Sequence, residues 1–157
     1  MLRLSKLTDY AVVVLMRLGE AEPEAVQTAP GIAKSTGVPE PTVAKVLKAL
    51  AQSGLVAATR GARGGYRLMR PFGAIPIAEI IAAIDGPIAL TACVDGATAG
   101  CEVACQCAVR GRWDLVNDAI REALGAITLA DMRDASVPAA LRIPLADLTN
   151  KPEHGHA

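Results

Sequence analysis

Residues 29–54 read Ala29-Pro-Gly-Ile-Ala-Lys-Ser-Thr-Gly-Val-Pro-Glu-Pro-Thr-Val-Ala-Lys-Val-Leu-Lys-Ala-Leu-Ala-Gln-Ser-Gly54. Thr28 stands just ahead of Ala29-Pro30, an arrangement that opens a helix, and Gly37 supplies a stop. A second helix follows almost at once. Pro39 and Pro41 both fit its first turn, where backbone N–H groups have no partner inside the helix. Val43, Val46, Leu47 and Leu50 recur at helical spacing as its buried stripe, and Gly54 ends it. Two short helices joined by a turn of about three or four residues that includes a glycine carry the signature of a helix-turn-helix.

Working outward, residues 5–20 form a helix on the repeat of Leu7, Tyr10 with Ala11, Val14 and Leu18, opened by Ser5 or Thr8. Its weak point is the valine run 12–14, because β-branched residues are mediocre helix formers. Residues 21–28 read as a polar linker. Downstream the period changes: Leu55–Thr59 and Tyr66–Arg70 are apolar runs flanking Arg60-Gly-Ala-Arg-Gly-Gly65, which predicts a β-hairpin. The expected fold is mainly α with a small β-hairpin wing, a winged helix-turn-helix. Residues 76–85 add a short apolar helix, with Ile77, Ile80, Ile81 and Ile84 facing the core and Gly86-Pro87 as its stop.

A loop over about 91–110 holds every cysteine of the chain. Past it, Trp113, Val116, Ile120, Leu124 and Ile127 step by three and four residues, a narrow apolar seam near a 3.5-residue repeat. A long helix with such a seam suits pairing with a copy of itself; its plainer use is to dock on its own domain. Thr128-Leu-Ala-Asp131 reads as a capped final turn. The expected organisation is a DNA-binding winged helix-turn-helix over 1–75, a cysteine-loop sensor and dimerisation region over 76–134, and a loose tail over 135–157. The tail's His154 and His156 are weak ligand candidates.

The chain of 157 residues has 16 Lys+Arg and 16 Asp+Glu, so its formal net charge is zero. That balance hides a division. Residues 1–70 hold ten basic and five acidic side chains, a net of +5, and residues 71–157 hold six and eleven, a net of −5. An anionic partner is expected at the first end. No apolar run approaches the roughly 18 residues needed to span a bilayer, and the first residues lack the order of a signal peptide. The expectation is a cytoplasmic protein without a membrane partner, in which cysteines serve as ligands or redox thiols before they serve as disulfides.

The basic residues have a pattern suited to DNA. Arg60, Arg63, Arg67 and Arg70 fall within 11 residues, separated by glycines that let the backbone lie close to a phosphate chain. Thr42, Lys45 and Lys48 share the exposed face of the second helix of the helix-turn-helix, where side chains are presented to a major groove. Taken alone, the two lysines do no more than solvate a helix face; with the hairpin and the charge division they point to nucleic acid. Arg3 and Tyr66 complete the candidate DNA-contacting set of Arg3, Thr42, Lys45, Lys48, Arg60, Arg63 and Tyr66.

Cys93, Cys101, Cys105 and Cys107 have the spacing C-x7-C-x3-C-x-C within 15 residues. Zinc modules usually pair C-x2–4-C knuckles, which fit poorly here. Iron–sulfur clusters accept more varied spacing, because their ligands go to separate irons. An iron–sulfur cluster, redox-active thiols, zinc and inert cysteines all stay open on the residues alone. An enzyme is disfavoured: there is no Gly-rich nucleotide motif, no nucleophile with a paired histidine, and no histidine before His154. A thiol-redox or iron–sulfur electron-transfer protein would have no use for the basic hairpin. A zinc-stabilised DNA-binding protein without a sensing role is the third reading.

Leu4-Ser-Lys-Leu-Thr-Asp-Tyr-Ala11, Gly37-Val-Pro-Glu-Pro-Thr-Val-Ala-Lys-Val46, Arg60-Gly-Ala-Arg-Gly-Gly-Tyr-Arg-Leu68 and the cysteine loop occur in one order. Together they resemble the Rrf-two family of winged-helix regulators, of IscR and NsrR type, over about residues 1–134. The run Cys107-Ala-Val-Arg-Gly-Arg-Trp113, with Asn117–Ile120 and Thr128–Met132, is most similar to the branch that regulates Suf iron–sulfur assembly genes. The resemblance implies a homodimer on a partly palindromic double-stranded DNA operator. It also implies a cluster, [2Fe-2S] or [4Fe-4S], on Cys93, Cys101 and Cys107, and repression of assembly genes. Where IscR has a histidine three residues after its last cysteine, this chain has Arg110, so the fourth ligand is open between Cys105 and Asp9. The plain alternative for Asp9 is an ordinary first-helix acid beside Arg3 or Lys6.

Overall fold

The computed structural model describes residues 3–22, 25–91, 94, 108–109 and 111–134. The four cysteines, the proposed tail over 135–157 and its two histidines lie outside the described residues. The elements run α1 (Lys6–Gly19), α2 (Ala29–Thr36), α3 (Glu40–Gln52), β1 (Val56–Thr59), β2 (Gly65–Leu68), a 3-10 turn (Phe72–Ala74), α4 (Ile77–Asp85), α5 (Trp113–Ala126) and α6 (Leu129–Arg133).

Local chemistry accounts for these boundaries. Ser5 caps α1, its side chain accepting from the Thr8 N–H, and the Thr28 hydroxyl does the same for Gly31 at the start of α2. Gly37 closes α2 in the left-handed region at φ 73°, which costs other residues steric strain. Pro39 stands at the N-cap of α3, and its carbonyl accepts from the N–H groups of Thr42 and Val43. The valines of α1 do not break it. Val14 is wholly buried, so packing outweighs their modest propensity.

α3 packs on α1, α2 and α4, with Val43, Val46, Leu47 and Leu50 fully buried against Leu15, Ile32 and Ile80. The core runs on through Ile77 and Ile81 of α4 to Leu129 of α6. Backbone pairing closes it: the Ile77 N–H donates to the Ile127 carbonyl at 2.8 Å and the Leu129 N–H to the Ile75 carbonyl at 2.9 Å. Thr128 and Asp131 form a reciprocal capping box that starts α6. No helix among the described residues is long and apolar enough to cross a membrane.

β1 and β2 are antiparallel, with Val56 opposite Leu68 and Thr59 opposite Gly65. Gln27, in the 21–28 stretch read from the sequence as linker, adds an isolated bridge on the free edge of β2. The Gln27 N–H donates to the Tyr66 carbonyl at 2.9 Å, and Tyr66 returns the bond at 2.8 Å. The Gln27 side chain meanwhile caps the end of α1, its Nε2 donating to the Arg17 carbonyl at 2.9 Å. The wing is thereby tied to the first helix through one residue.

α5 spans 14 residues, the same as α1, and its seam is divided between two environments. Leu124 and Ile127 pack against the chain's own core, and Ile127 is already extended backbone past the helix end. Trp113 and Val116 are 41% and 43% exposed. The fully buried side chain of the helix is Asn117, a polar residue beside the seam.

A second polar contact ties the end of α4 to the start of α1. Asp85 Oδ2 accepts from the Thr8 hydroxyl at 2.7 Å and from the Ser5 N–H at 3.2 Å. A carboxylate is misplaced at a helix C-terminus but well placed at the N-terminus of α1. Burial raises the Asp85 pKa, yet the bonds from Ser5 and Thr8 outweigh it and hold the group below its ordinary 3.8. A carboxyl group with a lower pKa when folded adds stability above the unfolded value, lost as pH falls through the folded one. Asp85→Asn is therefore expected to lower the melting temperature at neutral pH. Its deficit against the parent should shrink as pH drops below 3.8. A deficit that stays constant across a melting series into acid would remove Asp85 from this role.

Candidate nucleic-acid interface and sensor loop

The helix-turn-helix presents its outer face through α3. Because Val43, Val46, Leu47 and Leu50 are pulled inward, Lys45 and Lys48 are exposed on the opposite side and Thr42 is half-buried at its edge. Neither lysine makes an ion pair among the described residues. The wing turn, Arg60–Gly64, projects beyond β1 and β2 with Arg60 and Arg63 exposed and likewise unmatched.

Three arginines elsewhere are paired with acids. Arg17 pairs with Glu20 at 2.7 Å and donates to Ser35, Arg133 pairs with Asp134 at 2.6 Å, and Arg70 pairs with Glu79 of α4. Arg70 was grouped with the wing arginines on sequence proximity. The structure separates it from them, because the chain turns at Pro71 and brings Arg70 against α4. Tyr66 is half-buried and packed against the core, its backbone committed to Gln27. Arg3 is exposed ahead of α1 and borders an apolar groove formed with Ile88, Ile120 and Leu124.

Two glycines make the wing possible. A Cβ on Gly64 would stand 2.3 Å from the Thr59 carbonyl oxygen, and one on Gly65 would stand 2.8 Å from that of Gln27. Both obstacles are backbone and cannot rotate away. The arginines are thus carried on a turn that closes only without side chains at these positions.

The cysteine loop is anchored where it leaves α4. Asn117 Nδ2 donates to the Ile88 carbonyl at 3.1 Å, and its Oδ1 accepts from the Leu90 N–H at 3.0 Å. Val94, within the loop, is 3% exposed. One buried amide therefore satisfies both polarities of the backbone that leads to Cys93, and so couples α5 to the loop. Asp9 is exposed on the first turn of α1. Four sulfur donors within 15 residues suit an iron–sulfur cluster in number and softness.

Sequence reasoning singled out the cationic residues but missed Gln27, Asp85 and Asn117 as organisers. Asn117 had a visible signal: it falls four residues after Trp113 and three before Ile120, beside the seam. Gln27 had none, because its role depends on Tyr66, 39 positions later.

A model of the iron-dependent transcriptional regulators, the Rrf2 family, matches residues 4–135. The chain belongs to the Rrf2 family. Among relatives, protein aau3 of Rhizobium meliloti strain 1021 is 31% identical over 83% of this chain and 84% of its own length. Two solved Rrf2-like structures share the fold. CymR (YrzC), the global cysteine regulator of B. subtilis, has a TM-score of 0.65 at 28% identity and covers 87% of this chain and 100% of its own. The T. potens IscR has a TM-score of 0.61 at 27% identity, covering 93% and 96%. This Rrf2 chain is thus a winged-helix transcriptional regulator, and its relatives are regulators and not enzymes.

Gly64→Ala tests the wing. Duplex binding should weaken by roughly tenfold or more, the size of losing one or two charge-assisted phosphate contacts. Gly73→Ala, where a Cβ meets nothing within 4 Å, should bind as the parent does. Equal binding by Gly64→Ala in a filter or anisotropy titration would exclude the wing from the interface.

Proposed function

We propose that this protein is a homodimeric, cytoplasmic repressor that binds a double-stranded operator and reports iron–sulfur, iron, redox or nitric oxide status to iron–sulfur assembly genes. The observation that carries the DNA-binding part is the display of four exposed cations, unpaired among the described residues, on α3 and the wing turn. Arg17, Arg70 and Arg133 are matched to acids, whereas Lys45, Lys48, Arg60 and Arg63 are left open on α3 and the wing turn. Unmatched cations displayed by a helix-turn-helix and its wing are what a phosphate backbone neutralises. In this reading Thr42, Lys45 and Lys48 face the major groove and Arg60 and Arg63 hold the rim. Tyr66 supports the wing from below, and Arg3 adds a phosphate contact ahead of α1.

The sensing part rests on the donor set and on how its loop is held. Cys93, Cys101 and Cys107 would hold an iron–sulfur cluster, with Cys105 or the partner copy's first-helix acid, Asp9, as fourth ligand. A bound cluster supplies a centre that iron loss, oxidant or nitric oxide dismantles. The chain's own residues do the rest. Asn117 fixes residues 88–90, just ahead of the loop, to α5; Asp85 fixes the end of α4 to α1, and α1 packs on α3. The exposed Trp113 and Val116 offer the face on which two copies pair, which sets the spacing of two recognition helices. Operator binding needs both half-sites at a fixed separation, so a small change in pairing costs the second half-site. The likeness of the 107–132 run to the Suf-regulating branch supports assembly genes as targets.

Two measurements test this reading. Anaerobically purified protein should be brown with charge-transfer absorption, lost in Cys93→Ser, Cys101→Ser and Cys107→Ser and weakened by whichever of Cys105→Ser or Asp9→Ala removes the fourth ligand. Colourless protein containing zinc would overturn the cluster. On an operator selected from a random duplex pool, cluster-loaded and cluster-free protein should differ in affinity while weak non-specific binding persists. Equal operator affinity would sink the switch. Separately, Lys45→Ala and Arg63→Ala should each lower the salt slope of binding by ~1 and weaken all sequences alike. An unchanged slope would remove that residue from the phosphate footprint.

A further inference from the structure

A cleft of about 460 Å³ opens at the base of the wing, where the ends of α1 and β2 and the turn at Pro71 meet α6. Small-molecule sites commonly enclose about 300–1,000 Å³ and combine an apolar lining with a few placed polar groups. The floor here is apolar, with Leu18 and Phe72 buried and Leu68 half-buried. α1 passes close above the aromatic ring because residue 19 is glycine: a Cβ there would lie 2.1 Å from Phe72 Cζ.

Three arginines line the cleft, and two of them are paired with acids. Arg70 is paired with Glu79; Arg133 is paired with Asp134 and stands 5.3 Å over the centre of the Phe72 ring. Arg67 is half-buried on β2 and has neither an ion pair nor a side-chain hydrogen bond among the described residues. Glu22, the acid on the lining, is exposed and pairs with none of the three. Among the described residues the cleft therefore offers one unpaired arginine beside an apolar floor.

We propose that this cleft binds a small monocarboxylate with an apolar body. The carboxylate is held by the Arg67 guanidinium, and the body lies over Leu18, Leu68 and Phe72. A forked guanidinium matches two carboxylate oxygens. A second charge on the ligand would have to draw Arg70 or Arg133 from its acid, and a neutral hydrocarbon would leave Arg67 unmatched. None of these residues belongs to α3, the wing turn or the cysteine loop, so the site stands independently of the cluster-sensing reading. Because Arg67 and Leu68 lie on the strand that carries the wing, a ligand here ties the wing's base to α1 and α6.

Phe72 is the single phenylalanine of the chain. Full-length protein produced with fluorophenylalanine thus carries one fluorine resonance on the cleft floor. Phenylacetate and hexanoate are the probes, with phenylacetamide and hexanamide as uncharged counterparts. At least one carboxylate should shift the resonance saturably with a dissociation constant below about 1 mM, and its amide should bind roughly tenfold more weakly. Arg67→Gln should bring carboxylate binding down to the amide's level while leaving the ligand-free resonance in place. Absence of a saturable shift with both carboxylates, equal binding of acid and amide, or undiminished binding by Arg67→Gln would each overturn the proposal.

Discussion

The burial of one stripe on α3 is the constraint on which the rest of the molecule depends. Val43, Val46, Leu47 and Leu50 have no accessible surface, and each would give up roughly 1.5–3 kcal/mol of transfer free energy if turned to water. A rotation of α3 that freed its lysines to point elsewhere would expose this stripe. The direction of Lys45 and Lys48 is therefore set by apolar packing on α1, α2 and α4, and no polar contact has to hold them. Leaving those lysines unmatched costs the fold little, since a surface ion pair contributes at most about 1 kcal/mol. The cations most useful to a polyanion are thus among those the structure can most cheaply leave open.

The wing has a different basis. A two-stranded hairpin of four residues a side is marginal by itself in water. Here it gains an isolated bridge from Gln27 and a packed base from Tyr66 and Leu68. Gln27 works twice: its backbone bridges to β2 and its side chain satisfies carbonyls at the end of α1, where a helix lacks donors. The turn that carries Arg60 and Arg63 is consequently referenced to the same helix against which α3 packs. Recognition helix and wing share α1 as a common base.

Two polar contacts, one exposed and one buried, add to the apolar packing. Asp85 joins α4 to the first turn of α1, and Asn117 joins α5 to residues 88–90. A contact of this kind is directional, and a side chain that loses one partner while still buried costs about 1–3 kcal/mol. Such contacts fix the end of α4 and the backbone just after it in one register. The divided seam of α5 fits the same arrangement, its last turns in the chain's own core and Trp113 and Val116 left facing outward.

Much of this was legible in the residues, and the reason is local. Helix caps at Ser5, Thr28 and Thr128, the stop at Gly37, the paired prolines of α3 and the glycine-rich turn each act within about four residues, so spacing alone exposes them. The division of charge and the outward face of α3 follow from the same short-range periodicity. The tertiary structure decided what depends on distant partners. It bridged a linker residue, Gln27, to β2, and it withdrew Arg70 from the wing to meet Glu79. It also buried Asn117 beside a seam that reads as apolar, and left Arg67 without an ion pair among the described residues at a cleft lined from α1, β2, the Pro71 turn and α6. None of these can be read from periodicity, because each pairing is set by which surfaces the shared core brings together.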